Sequence, residues 1–229
     1  MIKLEYTVLY SPEQMKFIIE GMRNPMNSWG MSDSKVDYYG NWIAMGEKDY
    51  NLMQKLAKAG TDHRKFMRMI PVYARITAPL YWWKEFDTYK IGTVANSCST
   101  MHKIQEKKFT LDDFSHEHLV PRTLKKLKED ICELNFWQGA YNCKSDEERN
   151  LYFANCEWNE TYIPTKNDCW WQMIQLLPSP YNQTRNVMLN YEVLANIYPS
   201  RKNHKLDEWR EFCNWIENLP YSELITSED

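Results

Sequence analysis

Only two stretches of this chain alternate apolar and polar residues in the manner of strands, and that limits how much sheet it can build. Residues 2–10 place Ile2, Leu4, Tyr6, Val8 and Tyr10 on one side, and residues 65–76 carry Phe66, Ile70, Val72 and Ile76. So few strands cannot enclose a core, so helices must supply most of it. The predicted class is α+β, mostly helical, with a small sheet in a single domain over 1–229.

The helix signals agree with this. Ser11, Pro12 and Gln14 provide a cap, a fixed first-turn φ and a capping-box partner for a helix running to about Arg23. Residues 24–40 read as a punctuated loop. A second helix, 47–59, turns Leu52, Leu56 and Ala59 to one face and stops near Gly60. Thr77 is placed as the cap of a helix with Pro79 in its first turn, followed by a loop over 92–100. Thr110 and Asp113 mark another start. Residues 121–136 are strongly periodic, with Leu124, Leu127, Ile131 and Leu134 inward. Residues 138–168 read as an insertion or a loosely packed helix-loop. Helices are then expected over 169–177, 184–198 and 205–219. Pro199 ends the second, Trp209, Phe212 and Ile216 line the third, and the tail 226–229 frays.

Composition narrows the function. A net charge of −3 leaves no global attraction to nucleic acid or membrane surfaces, so neither partner is expected. With seven glycines, no GxGxxG and no GxxxxGK[ST], a glycine-rich nucleotide loop is excluded. No apolar run approaches a membrane span, and the charged, alternating N-terminus reads as a strand rather than a signal peptide. The six cysteines form no CxxC pair, so they are read as reduced thiols in a cytoplasmic protein. The sequons at Asn159 and Asn182 then go unused.

The stretch 77–102 is the ligand-facing candidate by chemistry: an aromatic, charged helix runs into a loop of small polar residues. Asn96, Ser97, Cys98, Ser99 and Thr100 offer an amide, hydroxyls and backbone donors to a phosphate, or form an ordinary Ser/Thr turn that caps the next element. Cys98 has no identifiable base to activate it. Trp82 and Trp83 can stack on a flat ring, but such a pair is more often interface core. His116, Glu117 and His118 have i,i+2 spacing without a third ligand, which favours a solvated loop, and no metal is expected. His204 fits a helix cap, with a nucleotide contact as the alternative.

The order of these features resembles the flavin-dependent thymidylate synthase (thymidylate synthase complementing protein) family, in a divergent form of the kind carried by phages. Ala78–Pro79 through Ile91 and Leu177–Pro178 through Arg201 lie on the family pattern without a gap, about a third of the chain. The resemblance implies a homotetramer with sites shared between subunits. It implies FAD beside dUMP, and reductive methylation fed by methylenetetrahydrofolate.

Carried over, the flavin signature RHRxxSxNExSxR falls on Thr88, Tyr89 and Lys90, then Thr93, Ala95, Asn96, Cys98 and Thr100; a one-residue shift matches Asn96 and Ser99 instead. The family's first histidine matches His63, and its second falls on Met69. An arginine before the Leu-Pro pair falls on Ile174, while the late asparagine and arginine are kept as Asn190 and Arg201. The resemblance thus implies His63, Tyr89, Lys90, Thr93 and Asn190 as cofactor-binding. It implies Glu85, Asn96, Ser97, Cys98, Ser99, Thr100 and Arg201 as nucleotide-binding. Two signature cations are replaced by Thr88 and Tyr89. At roughly 1.5–3 kcal/mol per charge-assisted bond, that removes about 3–6 kcal/mol, or two to four orders of magnitude in flavin affinity.

Two functions follow from these residues. One is a thymidylate synthase-like protein that binds a uridine-type nucleotide at a subunit interface, with flavin-dependent methylation if the cofactor is retained. The alternative is a non-catalytic oligomer that captures a nucleotide or a nucleotide-derived signal.

Overall fold

The computed structural model describes residues 1–156, 158 and 162–227. The chain forms two compact units. The larger comprises residues 2–77, 82–96 and 184–229; the smaller comprises Met1, 78–81 and 97–183.

In chain order the elements are β1 (Lys3–Leu9), α1 (Pro12–Arg23), β2 (Lys35–Val36), β3 (Ile43–Ala44), α2 (Glu47–Lys58), β4 (Pro71–Pro79), α3 (Leu80–Phe86), β5 (Val94–Ser97) and α4 (Thr100–Lys103). They continue with α5 (Pro121–Tyr141), α6 (Asp146–Asn155), α7 (Lys166–Leu176), β6 (Asn182–Asn190), α8 (Tyr191–Arg201), α9 (Asp207–Glu217) and α10 (Glu223–Thr226). The class is therefore α+β and mostly helical. The main sheet has the order β1-β4-β6-β5, and β2 pairs with β3 in a hairpin. β1 runs antiparallel to β4, with a bulge between Glu5 and Val8. No described helix is long and apolar enough to cross a membrane.

The larger unit centres on the indole of Trp82, whose ring lies 4.8 Å from Trp209, 5.1 Å from Phe86 and 5.7 Å from Phe212. α9 contributes because Trp209, Phe212, Cys213 and Ile216 fall on one stripe of an otherwise polar helix. Trp82 and Trp83 are both buried here in the chain's own core, not at a subunit interface or against a ligand. β4 shows the expected alternation, with Val72, Ala74, Ile76 and Ala78 buried and Tyr73 and Arg75 outward.

α1 has the anticipated capping box, Gln14 N–H to Ser11 Oγ at 3.1 Å and Ser11 N–H to Gln14 Oε1 at 2.7 Å. Its last residue, Arg23, pairs inside the protein with Asp49 at 2.6 Å. Asp49 also accepts from Ser32 and from the Ser34 amide, which ties the loop after α1 to α2. α2 accordingly buries Asp49, Met53 and Ala57; Leu52 and Leu56 are half-buried and Ala59 is exposed, so the inward face is rotated from the one expected.

In the smaller unit, α5 and α7 pack around Leu127, Ile131, Leu134 and Met173, joined by Phe114 and Phe153. Each such side chain contributes roughly 1.5–3 kcal/mol by leaving water. Of the stretch 138–168, Ala140 and Phe153 sit in this core, and Trp158 stacks at 6.4 Å on Phe136. The sequon residue Asn159 and the last two residues of the tail lie outside the described residues.

Three expected elements differ. Residues 64–69 form a 3-10 helix rather than a strand, because Phe66 and Met67 are adjacent and both buried, which alternation forbids. Thr77 is not a helix cap but lies in β4, its hydroxyl 2.7 Å from that of Thr184. α3 starts after it, and its first amides reach the carbonyls of Tyr181 and Ser179. The helix expected over 184–198 is a strand, β6, followed by α8. Val187 and Leu189 point inward from the strand, and Asn190 (φ −134°, ψ 166°) begins the helix as its cap. Pro199 does not end α8, which runs on to Arg201.

Candidate functional site

The polar cluster with the best case for a ligand site lies in the larger unit, where the end of α3 and the turn after it meet the end of α8 and the start of α9. α8 presents Arg201 in its last turn, and α3 presents Glu85. The Arg201 guanidinium donates from Nη1 to Glu85 Oε2 at 2.5 Å and from Nε to the Tyr89 hydroxyl at 2.8 Å. Its Cζ lies 4.5 Å from the centre of the Trp209 ring and 5.6 Å from that of Tyr89. The Trp209 indole N–H donates to the same Glu85 oxygen at 2.8 Å.

His204 closes the group with Nε2 3.6 Å from Glu85. Its Nδ1 accepts from the Leu206 amide at 3.2 Å, just before α9, which leaves Nε2 facing Glu85. The side chains of Arg201 and Glu85 are 17% and 36% exposed. A carboxylate and a guanidinium thus sit edge to edge between aromatic faces and remain reachable. Arg201 is an anchored cation, not a solvated helix end.

Of the other residues anticipated for nucleotide contact, Ser99 and Thr100 have local side-chain roles. Ser97, Cys98, Ser99 and Asn96 are exposed. Ser99 caps α4 by accepting from the His102 amide, while the Thr100 hydroxyl and the Cys98 carbonyl both accept from Gln183. Residues 94–97 are strand β5 rather than loop.

The five residues expected around FAD do not assemble a cradle within the chain. His63 is exposed beside the 3-10 helix, and its side chain makes no cap bond. The Tyr89 hydroxyl already accepts from Arg201, and the Thr93 hydroxyl donates to the Tyr89 carbonyl at 2.5 Å. The Asn190 Oδ1 accepts from the Val193 amide at 3.0 Å. Lys90, like His63, is exposed. The turn that holds them is tight: Gly92 has φ +79°, and a Cβ there would come within 2.7 Å of Asn190 Nδ2. Tyr89 and Thr93 therefore serve the turn and Asn190 serves the helix.

Among the described residues no group of three side chains could hold a metal ion. His116 Nδ1 lies 2.8 Å from the Phe114 carbonyl, and Glu117 takes the N-terminal ammonium at 3.1 Å. Trp209 was legible only as a core position on its helix stripe. Its indole N–H is polar and needs a partner when buried, which is the signal that links it to Glu85.

No family model matches the chain, and no curated protein does. Solved structures are similar over nearly its whole length, two of them as follows. One is the flavin-dependent thymidylate synthase of Helicobacter pylori complexed with FAD and dUMP, at 17% identity and a TM-score of 0.57, covering 98% of this chain and 97% of that one. The other, of thymidylate synthase X from the same organism with FAD and dUMP, is 16% identical with a TM-score of 0.57, covering 98% and 96%. The shared property is the fold.

Proposed function

We propose that this protein binds a uridine-type nucleotide, dUMP or a close relative, at the Glu85–Arg201 pair, as an oligomer of identical chains. The observation that carries the reading is the pairing itself. The edge of uracil presents an N3–H donor between two carbonyl acceptors. A carboxylate that accepts and a guanidinium that donates, side by side, complement that edge. Tyr89 and Trp209 provide the aromatic walls, and exposed Lys90, next to Tyr89, offers a cation to the phosphate. Support also comes from the two solved structures of this fold described above, each a complex with FAD and dUMP.

The same reading favours binding over flavin-driven methylation. Tyr89, Thr93 and Asn190 are engaged within the chain, and the cations of the family's flavin signature are largely replaced. The oligomer rests on the family resemblance.

The test is the visible spectrum of the purified protein together with its melting temperature in dUMP, dCMP and FAD. The expected result is a colourless protein, unmoved by FAD and stabilised by dUMP. At a hundredfold excess over Kd the stabilisation is about 2.7 kcal/mol, a rise of roughly 5–11 °C for a chain of this size. Arg201→Ala should remove that rise. Protein that purifies yellow with bound flavin, or dUMP that leaves the melt unmoved, would overturn the reading.

A further inference from the structure

A hairpin and a groove, both in the larger unit, have complementary chemistry that the Glu85–Arg201 site does not use. β2 and β3 are joined by the turn 37–42, whose Asp37 carboxylate accepts from the Trp42 amide at 2.7 Å and from the Tyr39 amide at 3.3 Å. The Asp37 amide donates to the Trp42 carbonyl, and Gly40 sits at φ +71°, so the turn is fixed by its own backbone. This well-held turn nevertheless points its rings at solvent: Tyr38 is 95% exposed, Tyr39 80% and Trp42 57%. Tyrosine and tryptophan on a pre-ordered turn contribute strongly at protein contacts, because little conformational freedom is lost when they are covered.

The groove lies on the outer face of the main sheet. It has a volume of about 300 Å³, and Tyr6, Val8, Tyr73, Arg75, Val94 and Met188 are among its lining residues. The open face of an antiparallel sheet is ordinarily polar, yet here Tyr6, Val8, Tyr73 and Val94 are exposed. The bulge in β1 holds Tyr6 at φ +50°, a costly conformation for tyrosine, and Tyr6 and Val8 both line the groove. Single exposed apolar side chains are ordinary, but three on one turn and four along one groove mark contact surfaces.

The chain thus owns an aromatic knob and an apolar seat, and it does not join them to each other, since the rings of the turn are exposed. Their sizes match: a cavity of about 150 Å³ holds a benzene ring, so the groove accepts an aromatic side chain and the edge of its turn. Their charges are opposite. Asp37 is held by backbone amides, and Glu13 stands beside Gly40 as a second acid near the turn. In the groove, the Arg75 guanidinium lies 4.6 Å from the centre of the Tyr6 ring and donates to Asn186 at 3.3 Å, rather than pairing with Glu5 across the ladder. A turn that carries carboxylates fits a seat that carries a guanidinium, and is repelled by a nucleic acid or an anionic lipid surface.

We propose that copies of this chain assemble by seating the 37–42 turn of one copy in the sheet-face groove of another. This contact rests on the oligomer proposed above and supplies its interface; it is independent of the nucleotide. The experiment is sedimentation velocity of the full chain over a concentration series, followed by photo-cross-linking. The wild-type chain is expected to self-associate. Tyr38→Ser combined with Tyr39→Ser, at positions too exposed to disturb the fold, should weaken association by about tenfold or more. Arg75→Glu should do the same, while Arg75→Lys keeps the charge and most of the association. Tyr39→p-benzoylphenylalanine should cross-link to groove residues of another copy, read by mass spectrometry of the covalent dimer. Association unchanged in the tyrosine variant or in Arg75→Glu, or cross-links that fall outside the groove, would overturn this contact and leave the oligomer standing. A chain that stays monomeric at every concentration would overturn contact and oligomer together, while dUMP binding by that monomer would still uphold the nucleotide site.

Discussion

Removing the Glu85 carboxylate separates the energetic roles around Arg201. In Glu85→Ala the Trp209 indole N–H, fully buried, loses its acceptor, which costs about 1–3 kcal/mol. The Arg201–Glu85 pair is partly exposed, so solvent screening limits its contribution to about 1 kcal/mol. The sum is about 2–4 kcal/mol. At about 2–4 °C per kcal/mol for a chain of this size, melting falls by about 4–16 °C. Glu85→Gln keeps an oxygen for the indole and loses only the charge, about 1 kcal/mol and 2–4 °C. Differential scanning calorimetry at neutral pH reads both. The same variants show how a nucleotide uses the pair. If Glu85 accepts N3–H, Glu85→Ala loses dUMP binding. If the carboxylate merely occupies Arg201, Glu85→Ala tightens it. Equal melting of the two variants, or tighter dUMP binding by Glu85→Ala, would refute the reasoning.

Three other outcomes follow from local geometry. Gly92→Ala places a side chain at φ +79°, 2.7 Å from Asn190 Nδ2 and 2.9 Å from Val193 Cγ2, so urea unfolding should show a loss of at least about 1–3 kcal/mol. Burial tends to raise the Asp49 carboxyl, but bonds from Ser34, Ser32 and Arg23 outweigh it and hold it below the ordinary range. A depressed folded value means its stabilisation is complete above the unfolded value of about 3.9 and is lost as pH falls through the folded one. Asp49→Asn should therefore cost about 3–5 kcal/mol at pH 7, with a shallower loss than wild type below about pH 4 in acid titrations of stability. Burial pushes the Cys169 and Cys213 thiols up to about 11 and raises Cys143, whereas Cys98, Cys132 and Cys156 are exposed. An aromatic disulfide reagent at pH 8 should react quickly with three thiols in the native protein and with six after denaturation; a fourth fast thiol would contradict this burial pattern.

Local chemistry was enough to read much of the fold. Ser11-Pro12 with Gln14 starts α1, the leucine spacing from Leu124 to Leu134 makes α5, and the stripe from Trp209 to Ile216 makes α9, because caps and helical periodicity act within a few turns. The mostly helical α+β class followed from these signals. β6 was not legible. Val187, Tyr191, Leu194 and Tyr198 repeat at helical spacing, yet a strand ends and a helix begins at Asn190 between the first two. A strand obtains its backbone partners from β4 and β5, which no local window contains.

The site divides in the same way. Arg201 and Glu85 were legible as residues of interest, since a charged side chain beside aromatic positions in a family-like order marks a contact. That they pair with each other, with Trp209 and Tyr89 closing around them, depends on bringing residues 85, 89, 201 and 209 to one place. That Glu192 pairs with both Arg64 and Arg68 is likewise invisible in sequence. Local sequence decides which groups a chain owns and which turns they ride on. Which of those groups are already satisfied, and which still need a partner, is decided only by the packing of distant segments.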